Sequence, residues 1–169
     1  MSATVPRMNA EQARAWMALV SASHLVPAAL DHQLTEDAGL ISFEYGILSA
    51  LNVAPDQTLR IGDIVAAIGA PYPRVSKAVT RLDGRGLVER VACAEDGRAM
   101  NIHLTRAGRR LWLSVTPPHM ELARDTILGG FTPAELEMLA SLLGTVIARL
   151  DPEGTFGKLP KNGDPPTRQ

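Results

Sequence analysis

One cysteine, Cys93, stands in 169 residues, so the chain can close no internal disulfide and build no cysteine-based zinc cluster, as suits a reducing compartment. No stretch approaches the roughly 18 consecutive apolar residues that a membrane span needs, and the opening MSATVPRMNAEQARAW carries no apolar run of the signal-peptide kind. A soluble, cytoplasmic protein with no membrane partner is expected. His24, His32, His103 and His119 show no H-E-x-x-H or comparable spacing, and no nucleophile elbow, phosphate loop or dinucleotide fingerprint is present. No catalytic residue, metal or cofactor is therefore expected, which sets an enzyme aside as the weaker alternative. What the chain does have is apolar content, 46%, sufficient for one compact domain with a real core.

A formal charge of −1 hides an asymmetry. Between Arg74 and Arg110 nine Lys/Arg stand against four acids, a local +5 that leaves the remainder at −6. Charge alone fits a solvated face as well as a polyanion-binding one, and periodicity separates the two. Ile61, Ile64, Val65 and Ile68 fall at i, i+3, i+4 and i+7, so 60–68 reads as a short amphipathic helix that Gly69 ends. Pro71 and Pro73 suit the first turn of a second helix, where a missing N–H costs nothing. In that helix Val75, Val79 and Leu82 share one face, while Arg74, Lys77, Arg81 and Arg85 gather on another within about 80°. A short helix, a tight turn and a second helix with a basic outer stripe is the arrangement of a helix-turn-helix that reads the major groove.

Gly84 and Gly86 stop this helix, and 87–93 is β-compatible. Met100, Ile102 and Leu104 then alternate with Asn101 and His103 as in a half-buried strand. The turn sequence between them, Ala94 to Arg98, makes a β-hairpin wing with Arg98 near its tip, where an arginine can enter a narrow minor groove. The expected fold is mainly α with a small β-hairpin wing: a winged helix-turn-helix flanked by N- and C-terminal helices.

Over roughly Glu11 to Leu150 the chain resembles the MarR family of bacterial transcription regulators. The wing motif D-x-R-x5-L-T is present as Asp96, Arg98, Leu104 and Thr105, and the helix-end motif R-L-x-x-R-G-L-V as Arg81, Leu82, Arg85, Gly86, Leu87 and Val88. ISFEYGILSAL resembles the family's second helix. The resemblance implies a homodimer on a pseudo-palindromic double-stranded DNA operator in the nucleoid, usually a repressor released by a small aromatic or phenolic effector. Tyr72, Pro73, Arg74, Ser76 and Lys77 lie at the start and exposed side of the recognition helix, with Arg74 and Lys77 suited to base edges. Arg81 and Arg85, further along, are placed for phosphates or for internal ion pairs. Arg98 matches the family's minor-groove arginine, and Asp96 reads either as its supporting carboxylate or as a turn-former. The family's pocket lies between the dimer helices and the DNA-binding lobe, which nominates Trp16, His24, Tyr45 and Trp112. The peroxide-sensing branch uses a cysteine near its N-terminus, and Cys93 does not match it. A winged domain that docks an acidic protein instead of DNA is the second reading.

The chain thus divides into outer helices over 11–40 and 112–150, a winged lobe over 42–111, and a segment from 151 onward. Trp16, Leu19, Val20 and Val26 mark a first helix over about 11–33, with a kink expected at Pro27. Thr105 caps a helix from Arg106 to about Leu128, for which Pro117 and Pro118 predict a break near Thr116. Thr132-Pro133-Ala134-Glu135 is a capping box ahead of a stripe of Leu136, Leu139, Leu143, Val146, Ile147 and Leu150. These stripes find no partner within a small winged lobe, so dimerisation is expected to cover them. Residues 151–169 hold four prolines and three glycines and little to bury, and read as a mobile or extended arm. Lys158, Lys161 and Arg168 leave an auxiliary DNA or partner contact open there.

Overall fold

The structure is a computed structural model that describes residues 7–92 and 100–156. Cys93, the wing residues Asp96 and Arg98, and the segment beyond Phe156 lie outside the described residues. The elements run α1 (Ala10–Ala38), α2 (Ser42–Val53), a 3-10 turn (Pro55–Gln57), β1 (Thr58–Arg60), α3 (Ile61–Ile68), α4 (Tyr72–Gly84), β2 (Val88–Ala92), β3 (Met100–Leu104), α5 (Arg106–Glu121), a π-helical turn (Leu122–Ile127) and α6 (Pro133–Leu150).

Helix limits follow local chemistry. In α1, Asn9 and Gln12 exchange side-chain-to-backbone hydrogen bonds of 2.8 and 3.0 Å, and Gly39 closes the far end in the left-handed conformation at φ 60°. The helix runs five residues past the expected Gln33 and passes uninterrupted through Pro27. Thr105 caps α5 by accepting from Gly108 N at 3.0 Å, while its hydroxyl reaches Gly86 O at 2.7 Å. Thr132 and Glu135 form the expected capping box on α6, and the Thr132 hydrogen bonds hold the Glu135 carboxyl below its ordinary pKa.

The break expected near Thr116 is absent, because α5 continues through Pro117 and Pro118 to Glu121. The two prolines leave Leu113 O and Ser114 O without their intrahelical donors, and the helix is held through this turn by its packing along α1 and α2. The irregularity falls one turn later as the π-helical turn, where Leu128 N reaches back to Ala123 O at 2.9 Å.

The sheet has the order β1-β3-β2, antiparallel throughout, with Thr58↔His103 and Val88↔Leu104 among the paired positions. β2 and β3 are the expected wing strands. β1 was not expected, since three residues are too few to show a period of two. As the central strand, β3 buries Ile102 and Leu104, leaves Met100 exposed at the outer end, and half-buries His103, whose Nδ1 lies 2.9 Å from Thr58 Oγ1.

Every apolar position read from α4 is in the core: Val75, Val79 and Leu82 are fully buried with Leu34, Leu40, Ile47, Leu48, Leu51 and Ile64. Against this apolar wall sits one buried carboxylate. Glu44 is 2% exposed; its Oε2 accepts Ile41 N at 3.2 Å, and its Oε1 accepts Arg81 Nε and Nη2 at 2.9 and 2.6 Å. One side chain therefore caps α2 and holds α4 against it. At the other junction Gly108, in the first turn of α5, meets the chain after α4 so closely that an added Cβ would stand 2.0 Å from Leu87 O.

Both junctions can be tested by substitution. Arg81→Ala strands a buried carboxylate and should cost about 3 kcal/mol in denaturant unfolding, with Glu44→Gln costing less because the amide oxygen still accepts. A cost for Arg81→Ala no larger than that of an ordinary exposed arginine would show that water replaces the pair. Gly108→Ala forces α5 off the end of α4 and should lower stability by about 1–3 kcal/mol, read as a fall in Tm.

Candidate nucleic-acid interface

α3 and α4 form the helix-turn-helix, joined through Gly69 at φ 64°, Ala70 and Pro71. Only glycine adopts that φ without strain, so α3 can end and the chain turn within three residues. Pro71 and Pro73 flank the start of α4, as read from the sequence.

The basic residues from α4 to β2 separate into two sets. Arg81 is bound to Glu44. Arg85 donates through Nη1 to Gly39 O and through Nη2 to Ala38 O, both at 2.7 Å, and so satisfies carbonyls at the C-terminus of α1. Arg90 on β2 reaches Thr80 Oγ1 at 2.8 Å and Asp83 at 3.5 Å. These three arginines join α4 to α2, α1 and the wing. Of the two roles open for Arg81 and Arg85, the contacts observed are the internal ones.

Arg74 and Lys77 form the second set. Both are exposed and make no ion pair among the described residues. The Arg74 guanidinium lies over the Phe43 ring, 4.2 Å from its centroid, a cation–π contact that holds the cation forward without neutralising it. Ile41, Phe43, Arg74, Ser76, Lys77 and Arg81 share a shallow cleft along this face. Tyr72 and Pro73 are exposed at its N-terminal edge, with Tyr72 at 54%. The five residues expected at the start and outer side of α4 thus lie together, and Phe43 joins them from α2. Nothing in the local sequence marks Phe43 for this role, since it belongs to an otherwise ordinary apolar helix.

The four aromatic and histidine residues nominated for a pocket do not converge within one chain. Tyr45 and Trp112 do meet: Tyr45 Oη lies 3.2 Å from Thr116 Oγ1, and Trp112 Nε1 donates to Ser49 Oγ at 2.8 Å. His119 completes the group, its ring 4.3 Å from that of Tyr45 and its Nδ1 3.1 Å from Gln33 Oε1. Burial lowers the pKa of His119 below its ordinary 6.5, so it stays neutral here at physiological pH. Sequence reading missed His119 because its partners lie 74 and 86 residues away. Trp16 lies about 25 Å along α1 from Gln33, and His24 about 14 Å, by helical rise. Trp16 is 51% exposed in a separate shallow cleft with Met8, Gln12 and Leu19, and His24 is exposed with its Nδ1 2.8 Å from Val20 O.

Among the described residues no group of His, Cys, Asp and Glu is placed to hold a metal ion, and no helix is long and apolar enough to cross a membrane. A family model described as the MarR family matches residues 38–99, which hold α2, the helix-turn-helix and the first wing strand. The crystal structure of Sco3205, a MarR family transcriptional regulator from Streptomyces coelicolor in complex with DNA, superposes with a TM-score of 0.81 at 28% identity, covering 98% of each chain. AbsC, a MarR family regulator from the same organism, gives 0.81 at 24% identity over 88% of this chain and 99% of its own. BpsR of Bordetella bronchiseptica, whose DNA binding is regulated by 6-hydroxynicotinic acid, gives 0.71 at 25% identity over 84% and 97%. With its helix-turn-helix and three-stranded wing sheet, the chain has the winged helix-turn-helix fold, its residues 38–99 match the MarR family model, and over nearly its whole length it is similar to a MarR family transcriptional regulator solved on DNA.

Proposed function

We propose that the chain is a homodimeric, sequence-specific DNA-binding repressor, acting on a pseudo-palindromic operator in the cytoplasmic nucleoid and released by a small aromatic or phenolic ligand. The observation that carries the reading is the division of labour on α4: Arg81 and Arg85 hold the helix from behind, while Arg74 and Lys77 stand uncompensated in front. A cationic helix edge that is rigidly backed and has no anionic partner among the described residues suits guanine O6 and N7, while Tyr72, Ser76 and the first-turn backbone around Pro73 suit phosphates. Arg98, with Asp96 beside it, takes the minor-groove role that its place in the wing motif implies. The capture of Sco3205 on DNA supports the same use of this fold.

The dimer reading rests on apolar surface. No residue of α6 is buried; Met138, Leu142 and Leu150 are 65%, 62% and 80% exposed, and Trp16, Met17 and Leu25 on α1 are 51%, 60% and 68% exposed. A monomeric soluble protein rarely leaves this much large apolar side chain to water, and a second copy offers the same surface in return. The outer helices over 11–40 and 112–150 are thereby assigned to assembly and the lobe over 42–111 to DNA. For the effector, the layer of Tyr45, Trp112 and His119 between α1, α2 and α5 offers stacking faces and polar edges, and the regulation of BpsR by a hydroxylated aromatic acid agrees in ligand class. Trp16 and His24 join such a site only if a partner subunit brings them to it.

Mobility-shift titration of the chain's own upstream intergenic DNA tests the central claim. Arg74→Ala and Lys77→Ala should each weaken specific binding by about 1–3 kcal/mol without changing stability, with affinity falling steeply as salt rises. Unchanged affinity in both would remove α4 from recognition, and no binding to any DNA would favour an acidic protein partner. Leu142→Asp should yield monomers in sedimentation equilibrium. Footprints of the parent protein should show two half-sites about 10–10.5 base pairs apart, reduced to one or abolished in the monomer.

A further inference from the structure

Two consecutive residues at the start of α2 meet two arginines of α4 and treat them differently. Phe43 lies beneath Arg74, and Glu44 binds Arg81. Arg74 and Arg81 are seven residues apart, about two turns along one face of α4. The carboxylate takes up Nε and Nη2 of Arg81 and offsets its charge. The Phe43 ring, 4.2 Å from the central guanidinium carbon of Arg74, attracts the cation through its quadrupole but has no oxygen or nitrogen to accept from it. The guanidinium of Arg74 therefore keeps both its charge and its fork of N–H donors available on the exposed side of the helix.

The ring is not free to follow the arginine. Its backbone sits in the first turn of α2, which is fixed on either side: Ser42 N donates to Asp31 Oδ1 on α1 at 2.6 Å, and Ile41 N donates to Glu44 Oε2 at 3.2 Å. The Phe43 side chain is half-buried and packs against the apolar core. Arg74, by contrast, is an exposed side chain in the first turn of α4, with several rotatable bonds to immobilise when it meets a base. A platform that already holds the guanidinium in one place removes part of that ordering cost before DNA arrives. It also fixes the direction of the donor fork, and direction is what a bidentate contact to a base edge requires.

We propose that Phe43 is a specificity-determining positioning residue: it presets the Arg74 guanidinium for a guanine O6 and N7 edge, so that one base pair in each half-site is read through a contact backed by α2. The proposal rests on the regulator reading above. Its test uses a duplex selected by the parent chain from a random-sequence library, with affinity measured by fluorescence anisotropy for that duplex and for its single-base-pair replacements. Arg74→Ala marks the position that Arg74 reads, as the one where preference disappears. Phe43→Leu and Phe43→Met keep an apolar side chain against the core but remove the ring face. Each should bind the selected duplex about 2- to 5-fold more weakly per half-site, and lose preference by a similar factor at that one position only. Phe43→Tyr, which keeps a ring face, should retain both affinity and preference. In the Arg74→Ala background, Phe43→Leu should change neither. Parent-like affinity and preference in Phe43→Leu and Phe43→Met overturns the proposal. So does a loss that persists without Arg74 or spreads over every position, the mark of a residue that only supports the fold. A parent that selects a duplex while Arg74→Ala keeps every preference overturns the roles of Arg74 and Phe43 alone. Failure of the parent to select or bind any duplex overturns the regulator reading itself.

Discussion

A single carboxylate, almost wholly removed from water, decides where the recognition helix sits. Glu44 closes the start of α2 and, through Arg81, fixes α4 across the same corner. The apolar contacts of Val75, Val79 and Leu82 hold α4 to the core but tolerate sliding and rotation, because dispersion and hydrophobic burial have little directionality. A guanidinium bound through Nε and Nη2 to one oxygen has direction. Since Arg81 is one turn from Lys77 and about two from Arg74, setting its position sets theirs. The pair's larger consequence is thus orientation: it converts a greasy helix into one whose cationic edge points a fixed way.

This use of charge divides the basic stripe that the sequence shows. Arg74, Lys77, Arg81 and Arg85 share a face by helical geometry, and that much a helical wheel shows. The partners that divide them do not appear on the wheel, because Glu44 is 37 residues from Arg81, and Ala38 and Gly39 are 47 and 46 from Arg85. The same contrast runs through the molecule. Caps at Thr105 and Thr132, the glycine ends at Gly69 and Gly86, and the wing strands were legible because their causes lie within a few residues. Phe43 beneath Arg74, His119 against Tyr45, and β1 beside β3 were not, because each is made by a distant element. Pro117 and Pro118 failed differently: the local rule predicts a break, but α1 and α2 pack along the helix and hold it.

The buried core is confined to one part of the chain. The core cluster draws on the last part of α1, α2, α3, α4, the sheet and the middle of α5, and takes nothing from α6 or from the first half of α1. The core that positions Arg74 and Lys77 includes Leu34, Leu40 and Val115 from the flanking segments, while α6 and the first half of α1 keep large apolar residues exposed. The surface proposed for recognition and the surface proposed for assembly are built from different residues of one chain, so each can be altered with limited damage to the other.

The element that crosses this division is α1. Its first half carries the exposed Trp16, Met17 and Leu25, its last turns contribute Leu34 to the core, and its final carbonyls are held by Arg85 from the end of the recognition helix. Gln33, one residue before Leu34, bonds His119 on α5 beside Tyr45 and Trp112. A displacement of the end of α1 therefore has two outcomes: α4 follows through Arg85, or those hydrogen bonds break. Hydrogen bonds to a charged group are worth about 1.5–3 kcal/mol each in a buried setting and less at a surface such as this. That is comparable to the coupling energy, about 1–3 kcal/mol, by which one bound molecule usually alters the affinity of another. The layer around Tyr45 and His119 is thus joined to α4 by two routes, through Gln33 and the end of α1 to Arg85, and through Glu44, next to Tyr45 on α2, to Arg81.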